Sequence, residues 1–179
     1  MSRAGELTLK QLQGRILALG LPAFVLCGAA AALVLRHEPN RSLSQAQALV
    51  LAVRWFLVPA LCLLVGVFFA AAWRFTHQDD NAGSSETCSP ILEIALRYNR
   101  NTLEQGFMAG AGWFALAVSF PHYAEAALPL LAGLFALGRI SFWIGYLWAR
   151  WARAFGFAVT FLPTSAVLIL LSVSSLMGI

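Results

Sequence analysis

Long apolar runs, most of them fenced by arginine, set the pattern of this chain. Ile16–Leu35 is an uncharged run of 20 residues between Arg15 and Arg36. Trp55–Trp73 is a run of 19 between Arg54 and Arg74. Gln105–Ala124 adds 20 residues, Ala126–Ala149 is interrupted by Arg139, and Ala154–Ile179 gives 26 with Pro163 inside. A spanning helix needs about 20 mostly apolar residues. A transmembrane β-strand would instead alternate over about ten residues, and these runs are continuous. The pattern predicts an all-α integral membrane protein with five spans. The first run also has the outline of a signal peptide, with Ala30–Ala32 near its end. Its length and the following Arg36 favour an uncleaved span.

Composition agrees. Of 179 residues, 60% are hydrophobic and 11% charged, and the mean hydropathy is +0.74. Soluble domains carry about 25% charged residues. Loop arginines and lysines set orientation. On a five-span ladder, one side carries Arg3, Lys10, Arg15, Arg74, Arg97, Arg100, Arg150 and Arg153, and the other Arg36, Arg41 and Arg54. That balance predicts a cytoplasmic N-terminus and a C-terminus on the opposite side. The net charge of +4 then reads as topology and anionic lipid contact, not nucleic-acid binding. Cys27, Cys62 and Cys88 imply neither a disulfide framework nor a metal site. Thr76–Ser89 reads as a polar loop, after which Pro90 suits a first helical turn capped by Ser89.

Two polar stripes interrupt the apolar pattern. Glu93, Arg97, Arg100, Asn101 and Glu104 share one face of a helix. Glu93–Arg97 and Arg100–Glu104 are four apart, so simple ion pairing accounts for them as well as a site does. The second stripe, Arg139, Phe142, Tyr146, Arg150 and Arg153, recurs at spacings of three and four. An arginine inside a span faces a bundle interior, water or a partner. Arg139 thus either holds two helices together through Glu104 or belongs to a site. The five-span ladder brings both stripes to the cytoplasmic side, where arginine forks would suit a small anion with several carboxylates. His37, His77 and His122 are scattered, and no phosphate loop or nucleophile–His–acid set is present. Gly106 and Gly110 form a small-xxx-small pair suited to close helix packing.

Together these motifs resemble the membrane-associated proteins in eicosanoid and glutathione metabolism, the MAPEG family. The family shows Arg-x-x-x-Asn-x-x-Glu at the start of its second helix, matched by Arg97, Asn101 and Glu104. It shows an arginine, Gly-Tyr and a further arginine about the end of its third helix, matched by Arg139, Gly145–Tyr146 and Arg153. The tract RAFGFAVTFLP, 153–163, is similar to the start of its last helix, and PLLAGLFALGR is most similar to five-helix members with an added N-terminal helix. The resemblance implies residues 1–48 as an added transmembrane segment and 49–179 as a four-helix MAPEG-like domain, assembled as a homotrimer. It implies glutathione as co-substrate, held by Arg97, Asn99, Asn101, Glu104, Arg139 and Tyr146. Arg153 would be the catalytic residue that stabilises the thiolate, since a nearby guanidinium lowers a thiol's pKa.

The function so implied is a membrane-bound glutathione transferase or peroxidase acting on a hydrophobic electrophile or lipid hydroperoxide. The alternative is a non-catalytic lipid-binding or regulatory scaffold on the same fold. Two departures bear on the choice: Phe142 and Gln105 stand where active members often carry tyrosine. Arg74 is the candidate for an arginine supplied by the first family helix. A transporter is disfavoured, because no inverted halves or paired broken helices stand out.

Overall fold

The computed structural model describes residues 8–36, 43–81 and 88–178. Six helices follow in order: α1 (Leu9–Arg36), α2 (Gln45–Thr76), α3 (Gln78–Asn81), α4 (Pro90–Ser119), α5 (Pro121–Trp148) and α6 (Arg153–Met177). The helix starts are chemically marked. Ser44 caps α2 in a box with Gln47, each side chain bonding the other's backbone. Ser89 caps α4 with Pro90 in its first turn, as the sequence predicts. Phe120 lies between α4 and α5 at φ −135°, ψ 64°, and Pro121 opens the next helix.

Small residues let the backbones approach. Ala48 and Ala52 of α2, Ala109 and Ala117 of α4, and Ala124 and Ala132 of α5 are buried around Trp113, Leu128 and Phe135. The Gly106–Gly110 pair faces α2, with Pro59 opposite Gly106 and the Phe56 ring against Gly110. Between apolar helices in lipid, such close packing supplies the attraction that water would supply elsewhere. Two hydrogen bonds fasten α4 to α2: Tyr98 Oη donates to the Cys62 carbonyl at 3.2 Å, and Gln45 Nε2 to the Val118 carbonyl at 3.1 Å. The helix α1 lies on α5 and α6, burying Ala23 and Ala30 beside Leu134 and Val159.

The five-span expectation needs correction. Among the described residues, four helices are long and apolar enough to cross a membrane: α1, α2, α5 and α6. The predicted span Gln105–Ala124 straddles the Phe120 corner, so only Gln105–Ser119 belongs to α4. Those 15 residues rise about 22 Å, short of a hydrocarbon core about 30 Å thick. The first half of α4 carries Glu93, Arg97, Arg100 and Glu104. The expectation of termini on opposite sides falls with the fifth span, and so does the cytoplasmic placement drawn from that ladder.

Candidate ligand-binding site

The two polar stripes do meet, at the beginning of α4, the end of α5 and the beginning of α6. Outermost is Glu93, whose carboxylate pairs with Arg97 Nη2 at 2.6 Å and lies 4.0 Å from Arg150 Nη2. Hydrogen bonding to Glu93 raises the already high pKa of Arg97, and the Tyr146 phenol lies beside the same guanidinium. Tyr146 is buried, and the Arg153 guanidinium sits 4.8 Å over its ring. Arg97, Tyr146 and Arg153 therefore form one cluster.

Deeper in the bundle lies Arg139, with no exposed surface. Its Nη1 donates to Asn101 Oδ1 at 2.6 Å, and its Nη2 to Thr160 Oγ1 and, at 3.5 Å, to the Gly156 carbonyl. The rings of Phe135 and Phe142 flank the guanidinium at 5.6 and 5.0 Å. Cation–π attraction and three neutral acceptors thus replace a carboxylate partner. The residue does not pair with Glu104, so the proposed Arg139–Glu104 bond is not formed. Glu104 is exposed and pairs with Arg100 at 3.1 Å.

The remaining predicted residues point elsewhere. Asn99 faces α2, packed where Gly66 leaves room for it, and its Oδ1 is buried without a hydrogen-bond partner among the described residues. Gln105 is buried, with its Oε1 likewise unpaired. Arg74, in the last turn of α2, is half-buried. Within one chain, then, the glutathione set divides into an outer cluster (Arg97, Tyr146, Arg153), an inner one (Asn101, Arg139) and two residues facing away (Asn99, Glu104). Asn101 Oδ1 already accepts from Arg139 Nη1, the Arg139 Nε is buried without a hydrogen-bond partner among the described residues, and Arg97 already has Glu93.

Sequence reasoning missed Thr160 and Gly156, which hold Arg139 from α6. The available signal was small-residue matching. A Cβ on Gly138 would lie 2.9 Å from the Gly156 carbonyl, and one on Gly145 would lie 2.7 Å from the Ala152 carbonyl carbon. These glycines bring α5 and α6 into backbone contact and place the Gly156 carbonyl within reach of Arg139.

Helices packed on small residues, with an arginine staple in their midst and an arginine–tyrosine cluster at one end, define a helical membrane protein of the type the motifs suggested. The MAPEG family model matches residues 48–173, more than half of the chain, and the chain belongs to that family. Among named proteins it is similar to Transmembrane protein 79 of Mus musculus and of Bos taurus, each 41% identical over 78 residues. The family match agrees with the resemblance read from the sequence motifs. The matched stretch is 44% of this chain and 20% of each relative. The chain thus spans about a fifth of the curated relatives' length. No solved structure matches the chain.

Proposed function

We propose that this chain is a non-catalytic membrane scaffold on the MAPEG fold, engaging lipid or a neighbouring membrane protein rather than turning over a substrate. The observation that carries this reading is the buried Arg139 cluster, whose two terminal guanidinium nitrogens are bonded within the chain. Its guanidinium is fully buried and bonded to Asn101, Thr160 and Gly156. Buried Phe142 packs against it without a hydroxyl to offer a ligand. In this reading residues 49–179 are the family domain, and residues 1–48 add a helix beside α5 and α6. Trimeric self-association belongs to the same reading. Leu96, Leu103 and Phe107 are exposed on α4 beside the Arg100–Glu104 pair, a face suited to a second copy.

A second reading, a glutathione-dependent transferase or peroxidase, is favoured by the meeting of Arg97, Tyr146 and Arg153 at one end of the bundle. Turnover separates the two. Purified protein in lipid nanodiscs is assayed with glutathione and either a hydrophobic aryl halide or an organic hydroperoxide, as wild type and as Arg153→Ala. The scaffold reading predicts rates equal to the protein-free background for both. Turnover by wild type that Arg153→Ala abolishes would establish the enzyme instead.

A further inference from the structure

The end of the bundle that carries the arginine–tyrosine cluster holds other residues to which neither reading gives a role. The α5–α6 connection runs from Trp148 to Arg153, between two helices able to cross a membrane. It therefore lies at the boundary between hydrocarbon and water, the level of the lipid phosphates. Trp148 is 84% exposed, and tryptophan is favoured at this boundary because its ring is apolar and its N–H polar. Trp151 is half-buried, and Arg15 from α1 places its guanidinium 5.0 Å over that ring.

Among the described residues the charge there is unbalanced. Arg150 has a side chain 81% exposed, and its carboxylate neighbour is Glu93 at 4.0 Å. Glu93 already holds Arg97 at 2.6 Å, so one carboxylate serves two guanidinium groups. Arg15 is exposed and rests on an aromatic face, with no carboxylate partner among the described residues. A guanidinium stacked on a ring keeps its N–H groups free at the edge, where they match phosphate oxygens.

We propose that Arg15 and Arg150, flanking Trp151, form a binding surface for the headgroup of an anionic phospholipid. The headgroup phosphate lies between the two arginines, Trp148 and Trp151 sit at the glycerol level, and the acyl chains run along the exposed apolar sides of α1 and α5. The surface joins α1, outside the matched family region, to the start of α6, so bound lipid fastens the added helix to the domain. This inference extends the lipid-engaging scaffold reading by naming the class of lipid.

The test is retention of lipid by the full chain. Protein is exchanged into mixed micelles holding equal phosphatidylglycerol and phosphatidylcholine, and co-purifying lipid is counted by native mass spectrometry. Wild type is expected to retain phosphatidylglycerol preferentially. Arg15→Gln/Arg150→Gln is expected to lower that preference about thirtyfold, given the attraction each basic residue adds near an anionic surface. Arg36→Gln, at the other end of α1, and the charge-preserving Arg15→Lys/Arg150→Lys are both expected to keep it. Equal retention of the two lipids by wild type would overturn the proposal, as would equal losses from the Arg36→Gln and double-glutamine variants. Either result, with glutathione turnover still at background, would leave the scaffold reading standing.

Discussion

Arg139 is the residue on which the account turns. A cation inside a membrane bundle is costly and is kept where its surroundings compensate it. Here Asn101, Thr160 and the Gly156 carbonyl supply the acceptors, and two phenylalanine rings supply the rest. Hydrogen bonds to a charged group contribute about 1.5–3 kcal/mol each. Asn101→Ala should therefore cost about 2 kcal/mol, read from reversible unfolding in mixed micelles. Glu104→Ala should cost less than about 0.5 kcal/mol, because its partner Arg100 is exposed on one helix surface. Equal losses from the two would mean that the outward residue matters as much as the inward one. The sequence shows Asn101 and Glu104 only as two polar residues three apart, and their helical face alone does not separate them. Their separation comes from the packing of α5 and α6, a tertiary fact that the periodicity of α4 does not contain.

At the level of elements, two junctions fix the site. One is the contact of α5 with α6 through Gly138, Gly145 and Gly156. Gly156→Ala would drive its new methyl into the backbone of α5 at Gly138 and Phe142. Overpacking of this kind costs about 1–3 kcal/mol. Gly133→Ala, on the same α5 but with nothing within 4 Å of the added carbon, should be neutral or stabilising by up to about 1 kcal/mol. Thermal unfolding of the two variants checks the contrast.

The other junction is the turn between α2 and α4. Asp80 accepts from Ser89 N at 2.8 Å, from Ser89 Oγ at 2.5 Å and from Trp73 Nε1 at 2.8 Å. Ser89's hydroxyl and backbone hold the Asp80 carboxyl below its ordinary pKa, against the opposing effect of burial. A depressed carboxyl contributes stability that is fully present above its unfolded pKa and is lost as pH falls through the folded value. Loosening should begin as pH drops below about 4. Fluorescence of Trp73 should report it, and Asp80→Asn should remove that acid step. An unchanged acid step in the variant would contradict the junction. Ser89 and Pro90 were legible as a helix start from sequence. Their partner Asp80 was not, because it lies nine residues earlier in a polar stretch without periodicity.

Across the whole molecule, the helical membrane class and the family were readable from continuous apolar runs and the order of the arginine motifs. The count of crossings was not. A hydropathy run has no sense of direction, so Gln105–Ala124 hid the corner at Phe120. The same blindness affected the site: residues that the motifs group as one set divide, in the folded chain, between interior and surface. The central claim, that these residues hold the bundle together and do not form a glutathione site, is tested most directly by titrating reduced glutathione into wild type and Arg153→Ala in nanodiscs by isothermal calorimetry. The account predicts no saturable heat from either protein at millimolar glutathione. Saturable binding to wild type that Arg153→Ala removes would contradict it.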